Sequence, residues 1–143
     1  RHAMKRNGSA IWQGDLKTGK GRVSTQSGVL SEAQYGFNTR FEDGPGTHPE
    51  ELIGAAHAGC FSMALSNVLG EQGLTADRIE TTATVTLDKA EGGFAITAVH
   101  LEVTATIPGT DDAAFQKAAE TAKVNCPVSK LLTAEISMTA TLA

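Results

Sequence analysis

Pro49-Glu50-Glu51-Leu52-Ile53-Gly54-Ala55-Ala56-His57-Ala58-Gly59-Cys60-Phe61-Ser62-Met63-Ala64-Leu65-Ser66 holds one proline, at its start, and shows no strand-like alternation. Thr47 lies three residues before Glu50, the spacing of a capping box, and a proline in the first helical turn loses no useful donor. A helix is therefore predicted from Glu50 to Gly70, ended by Gly70 or Gly73. Leu52, Ile53, Ala56, Cys60, Met63, Ala64 and Asn67 follow its 3–4 spacing and form the expected core face. Gly54, Ala55, Ala58, Gly59 and Ser62 make the other side, so the helix is small all round and is expected to be buried on more than one side.

The flanks supply strands. Upstream, Ala10–Trp12, Gly21–Thr25 and Tyr35–Thr39 read as short strands, separated by turns at Gly14-Asp15, Gly19-Lys20 and Gly28. Downstream, Ala83, Val85 and Leu87 alternate with threonines. After a turn at Glu91-Gly92-Gly93, Val99, Leu101, Val103, Ala105 and Ile107 alternate with polar residues. Phe94 and Ile96 sit on the other phase, which predicts a bulge near Ala98. Thr110-Asp111-Asp112 caps a second helix that runs to about Lys123 and buries Phe115, Ala118, Ala119 and Ala122. Cys126-Pro127 starts a short helical piece through Leu132, and a last strand carries Ala134, Ile136, Met138, Ala140 and Leu142 on one face. With no internal repeat or long linker, residues 1–143 read as one α+β domain.

The chain has 143 residues and a net charge of −4. That charge argues against phosphate-driven nucleic-acid binding. No apolar run approaches the roughly 18 residues of a membrane span, and the charged start at Arg1–Ser9 has no apolar stretch of a secretory signal behind it. A cytoplasmic protein is expected, with Arg1–Ala3 read as a cloning remnant before Met4. Alanine is the commonest residue and aromatics make up only 5% of the chain. Such a core yields little transfer free energy per residue, so close helix packing or burial against a second subunit is expected to compensate.

Cys60 and Cys126 are the only cysteines. Their spacing alone leaves inert buried thiols, redox chemistry and a structural bridge open; a bridge over such a loop would stabilise by about 4 kcal/mol. Metal is the weakest reading: His57 and Cys60 are three apart, but no further pair completes a zinc set. A Cys–His hydrolase needs a better-activated nucleophile, since Cys60 falls about ten residues into its helix, beyond the reach of the dipole.

The helix quoted above resembles the central-helix motif of the OsmC/Ohr family. Tyr35-Gly36-Phe37-Asn38-Thr39-Arg40-Phe41 and Cys126-Pro127-Val128-Ser129 match that family's other two segments, in the same order. His48 stands where Asn is expected and Gly59 where Ala is usual. The resemblance implies mixed and antiparallel sheets wrapped around a long central helix in an intertwined homodimer. It implies a thiol-dependent reductase of organic hydroperoxides and hydrogen peroxide, active in osmotic or oxidative stress and needing no cofactor or metal. Carried onto this chain, Cys60 is the peroxidatic residue, Cys126 the resolving one, and Arg40 and Glu50 the accompanying ion pair. An external dithiol, a small molecule or a lipoyl-type protein, restores the thiols. The competing reading is a non-enzymatic binding or structural stress protein with inert thiols.

The chemistry fits those residue types. A thiol of ordinary pKa is only about 3% thiolate at pH 7, and a guanidinium a few ångströms away moves it by roughly 1–3 units. Glu50 is expected to orient Arg40 in a fork-shaped pair. Ten helical residues between Glu50 and Cys60 span about 15 Å. Either the helix start bends away, or Arg40 and Glu50 serve the Cys60 of a partner subunit; the small-residue surface favours the second arrangement. Phe61, Met63, Phe37 and Ile53 are candidates for lining an apolar pocket, or for plain core.

Overall fold

The structure, a computed structural model, describes residues 3–143; Arg1 and His2, the first two residues of the stretch read above as a remnant, lie outside the described residues. The chain divides into two compact units, Arg1–Glu51 and Leu52–Ala143.

In the first unit β1 (Gly8–Gln13), β2 (Lys20–Thr25) and β3 (Ala33–Tyr35) form an antiparallel sheet in that order. The β1–β2 turn is closed by Asp15, whose carboxylate accepts from the Thr18 N–H at 2.7 Å and its hydroxyl at 2.6 Å. Trp12 and Tyr35 approach to 5.7 Å between ring centroids above Gly21, where a Cβ would lie 2.5 Å from the Tyr35 ring. Only glycine leaves room for that contact.

The strand expected at Tyr35–Thr39 stops at Tyr35, and Phe37–Phe41 is a short helix, α1. The aromatic and β-branched residues favour a strand, but local hydrogen bonds prevail. Thr39 Oγ1 accepts from the Gly36 N–H and donates to the Gly36 carbonyl, both at 2.8 Å, folding the segment back on itself.

The cap of α2 (Pro49–Glu71) also differs from expectation. His48 takes the N-cap role, its Nδ1 accepting from the Glu51 N–H at 3.3 Å, while Thr47 donates to Glu51 Oε2 at 2.8 Å. The capping carboxylate is thus Glu51, and Glu50 is released for another partner. At the far end Gly73, at φ 74°, turns the chain so that the Leu74 N–H reaches the Leu69 carbonyl at 2.9 Å. Gly73 therefore ends the helix.

The second unit is built on the hairpin of β4 (Arg78–Ala90) and β5 (Gly93–Thr106), with β6 (Glu135–Leu142) added parallel to β5. The bulge falls where expected: Thr86 and Leu87 pair with Ala98 and Ile96, leaving Thr97 unpaired. One face of β5 (Val99, Leu101, Val103, Ala105) meets Phe115, Ala118, Ala119 and Ala122 of α3 (Asp112–Asn125) and Phe61, Leu65 and Leu69 of α2 in one core. Asp111 caps α3, accepting from the Ala114 N–H at 2.8 Å. Asp111→Ala is expected to cost about 1 kcal/mol, read from the urea midpoint. The five-residue α4 (Pro127–Leu131) follows directly.

The buried stripe of α2 only partly matches the expected face, of which Cys60 and Ala64 pack against the core. Gly54, His57, Phe61, Leu65 and Leu69 face the core, while Ala56, Met63 and Asn67 are exposed, Met63 at 76%. Alanine and glycine on every side leave the hydrophobic phase nearly undetermined, and the bulky Phe61, Leu65 and Leu69 decide it. Gly54 lets the helix approach β4 closely, since a Cβ there would sit 3.0 Å from the Ala83 carbonyl. Contrary to the sequence reading, α2 is by length and composition apolar enough to cross a membrane. Its interior carries no Asp, Glu, Lys or Arg, and its small residues count as apolar without forming a continuous run. A core helix passes the same test, and the bulky stripe of α2 is committed to the core of the second unit.

Candidate active site

Two pairs of residues are assembled, each inside its own unit. In the first, Arg40 in the last turn of α1 reaches Glu50 in the first turn of α2. Its Nε donates to Oε1 at 3.2 Å and its terminal nitrogen to Oε2 at 3.0 Å. The Glu50 side chain is 9% exposed and that of Arg40 40%, so the carboxylate is held in place and the guanidinium keeps an open side. The fork fixes the plane of the guanidinium. Phe41 lies against it, 5.7 Å from ring centroid to the guanidinium carbon.

Beside this pair lies a cavity of about 170 Å³ lined by Trp12, Leu16, Tyr35, Phe37, Phe41 and Pro49, with Arg40 at its edge. Its walls are mainly aromatic and its polar group is a cation, a combination that suits an apolar molecule with a polar or anionic head. Of the candidate pocket residues, Phe37 lines it. Phe61 does not, being fully buried in the core of the second unit.

In the second unit Cys60, on α2, meets Cys126, the residue that ends α3 and begins α4. Both are free thiols, Cys60 partly exposed and Cys126 fully buried. The two thiols are neighbours that act on each other's titration, and the Val128 backbone N–H acts on the Cys60 sulfur. Burial pushes the Cys60 thiol upward, the Cys126 thiol adds to this, and the Val128 N–H opposes it without prevailing. Within the second unit alone Cys60 is thus held as a neutral thiol in contact with its neighbour. Pro127 opens α4, and Cys126 before it stands at the N-cap with ψ 125°, outside the helical range, as a residue preceding proline prefers.

Sequence reasoning weighed His57 beside Cys60 only as a metal ligand or hydrolase partner and missed its tie to Ser129. His57 is fully buried, and its Nε2 lies 2.8 Å from Ser129 Oγ. Burial pushes the imidazole pKa below its ordinary 6.5. The available signal was spacing: His57 precedes Cys60 by three residues and Ser129 follows Cys126 by three. The shift has a measurable sign. Below pH 6.5 the unfolded chain binds a proton that the folded imidazole refuses, so this contribution is complete above 6.5 and is lost as pH falls. Between pH 7 and 5 the wild type is expected to lose stability relative to His57→Gln by up to about 1.4 kcal/mol per pH unit, read from urea midpoints. Among the described residues no group of three or more His, Cys, Asp or Glu is placed to hold a metal ion.

The chain matches the family model described as OsmC-like protein over residues 42–141. It is 57% identical over 135 residues to the peroxiredoxin OsmC of Escherichia coli K12, covering 94% of each chain. It is 36% identical over 114 residues to the organic hydroperoxide resistance protein OhrB of Bacillus subtilis, covering 77% of this chain and 79% of that one. The crystal structure of Bacillus subtilis OhrB superposes with a TM-score of 0.68 at 26% identity, over 96% of this chain and 98% of the other.

Proposed function

The chain belongs to the OsmC-like family, and from that premise we propose a complete reaction for it. It is a peroxidase of the peroxiredoxin type that reduces hydroperoxides, organic ones and hydrogen peroxide, to alcohol or water as part of a stress response. The Cys60 thiolate attacks one peroxide oxygen, the O–O bond breaks, and the alkoxide leaves with a proton as alcohol, giving a sulfenic acid. Cys126 attacks that sulfur, expels water and closes a Cys60–Cys126 disulfide. A dithiol reductant then returns both thiols by exchange and is itself oxidised to a disulfide. The single observation that carries this reading is the contact between two free cysteines, one partly exposed and one fully buried.

Arg40 supplies the charge that makes the thiolate. The raised Cys60 pKa would by itself suit the competing reading of inert thiols, so a cation must act on this sulfur for the reaction to run. The Arg40–Glu50 fork is the pre-oriented cation that the chain offers. Helix α2 is continuous from Pro49 to Glu71, which leaves about 15 Å of helix between Glu50 and Cys60. That separation favours sites shared between two copies in an intertwined homodimer, in which both compact units form one OsmC-like domain.

Two further observations support the dimer. All six residues of β1 are exposed, and a three-stranded sheet so little covered is marginal alone. The outward side of α2, with Ala55, Ala56, Gly59 and Met63, is exposed. The deciding experiment follows the pH dependence of Cys60 alkylation in purified protein: an apparent pKa well below the ordinary thiol value supports the peroxidase site, and one at or above it supports inert thiols.

A further inference from the structure

We propose that His57 and Ser129 form a redox-independent latch that holds α4, and with it Cys126, against α2 while Cys60 passes through its oxidised states. A helix of five residues has almost no stability of its own, so α4 stays where its contacts hold it. Two polar ties to α2, the Cys126 thiol and the Val128 N–H, end on the Cys60 sulfur. Both are altered once that sulfur gains an oxygen. The His57–Ser129 hydrogen bond does not involve sulfur, and oxidation of Cys60 leaves its atoms unchanged.

Its placement is specific. Three residues along a helix put side chains on one face, so the bond lies one turn from each cysteine. The Lys130 N–H to Cys126 carbonyl bond, at 3.0 Å, ties the turn carrying Ser129 to Cys126. The arrangement is also costly, because His57 Nδ1 is buried without a hydrogen-bond partner among the described residues. An apolar side chain would fill this site without leaving a polar atom unpaired. The half-satisfied imidazole there acts as a positioning residue, through Ser129, on the approach of Cys126.

The step it serves is condensation of the Cys60 sulfenic acid with the Cys126 thiol, in which the S–S bond forms, the S–O bond breaks and the thiol proton leaves with the hydroxyl as water. This rests on the proposed roles of the two cysteines. The test adds one equivalent of an organic hydroperoxide to the reduced full-length chain and separates sulfenic acid, disulfide and sulfinic acid by mass spectrometry of quenched samples. Ser129→Ala is expected to form the sulfenic acid at the wild-type rate, to close the disulfide at least about tenfold more slowly, and to accumulate sulfinic acid as peroxide is raised. Ser129→Thr and His57→Gln, which keep the hydroxyl and a side-chain N–H, are expected to retain most of the closing rate.

Closure at the wild-type rate in Ser129→Ala, or equal slowing of both steps, overturns the latch and leaves the cysteine roles standing. A wild-type chain that forms no disulfide overturns both. If Ser129→Ala does not fold, amide exchange in Cys126→Ser decides. The Lys130 and Leu132 amides are expected to stay equally protected before and after Cys60 is oxidised, and loss of that protection on oxidation overturns the proposal.

Discussion

Cys60→Ser is expected to reduce hydroperoxide consumption to the background of the reductant alone, a fall of about 10³-fold or more. A serine hydroxyl is not deprotonated at neutral pH and has no oxidation state corresponding to the sulfenic acid, so no other group on this chain takes over the first step. Cys126→Ser separates the second step from the first. It is expected to consume about one peroxide per chain in a burst and then stall, with further peroxide driving Cys60 to the sulfinic acid. A coupled peroxide assay reads the stall, and the mass of two added oxygens on the Cys60 peptide reads the over-oxidation. Steady turnover in Cys126→Ser with reductant present would remove it as the resolving residue. Turnover in Cys60→Ser would overturn the reaction itself.

The same two residues show how far the sequence carries. Where local chemistry is strong, elements and details were both legible. The β4–β5 alternation located its bulge, and Asp111 with the period of Phe115, Ala118, Ala119 and Ala122 defined α3 and its buried face. Where several weak preferences compete, the structure chose differently. Phe37–Phe41 has strand propensity but closes on Gly36 through Thr39. The face of α2 was ambiguous because small residues occur at every phase, and its core side is set by Phe61, Leu65 and Leu69, with His57 among them. The cap at Thr47 required a decision between two adjacent glutamates. His48 and Thr47 engage Glu51, and this frees Glu50 for Arg40. Cys60 and Cys126 were nameable by resemblance, whereas the His57–Ser129 bond depends on a contact 72 residues apart that no local pattern encodes.

Arg40→Ala is expected to be the next most damaging substitution. Within its own unit the Cys60 thiol is pushed up, so removing the cation leaves it protonated at neutral pH and cuts the thiolate fraction by roughly 10–100-fold. Charge developing on the leaving oxygen loses its partner as well, which adds to the loss. Arg40→Lys is expected to recover little, because an ammonium cannot make the two parallel bonds that fix the guanidinium on Glu50. Glu50→Gln, which keeps the shape and loses the charge, is expected to fall between them. In each variant the pH profile of Cys60 alkylation should move with activity; if activity falls while that profile stays put, Arg40 acts on the substrate and not on the thiol. Mixing decides whose arginine serves which sulfur. Chains carrying Cys60→Ser are expected to be dead and those carrying Arg40→Ala strongly impaired, but if sites are shared across the dimer, one of the two sites in each mixed dimer regains an intact arginine and an intact cysteine. Unfolding and refolding equal amounts together is then expected to restore about a quarter of wild-type activity, and no recovery would mean that each chain completes its own site. Recovery is the outcome expected if the fork of one chain serves the sulfur of the other.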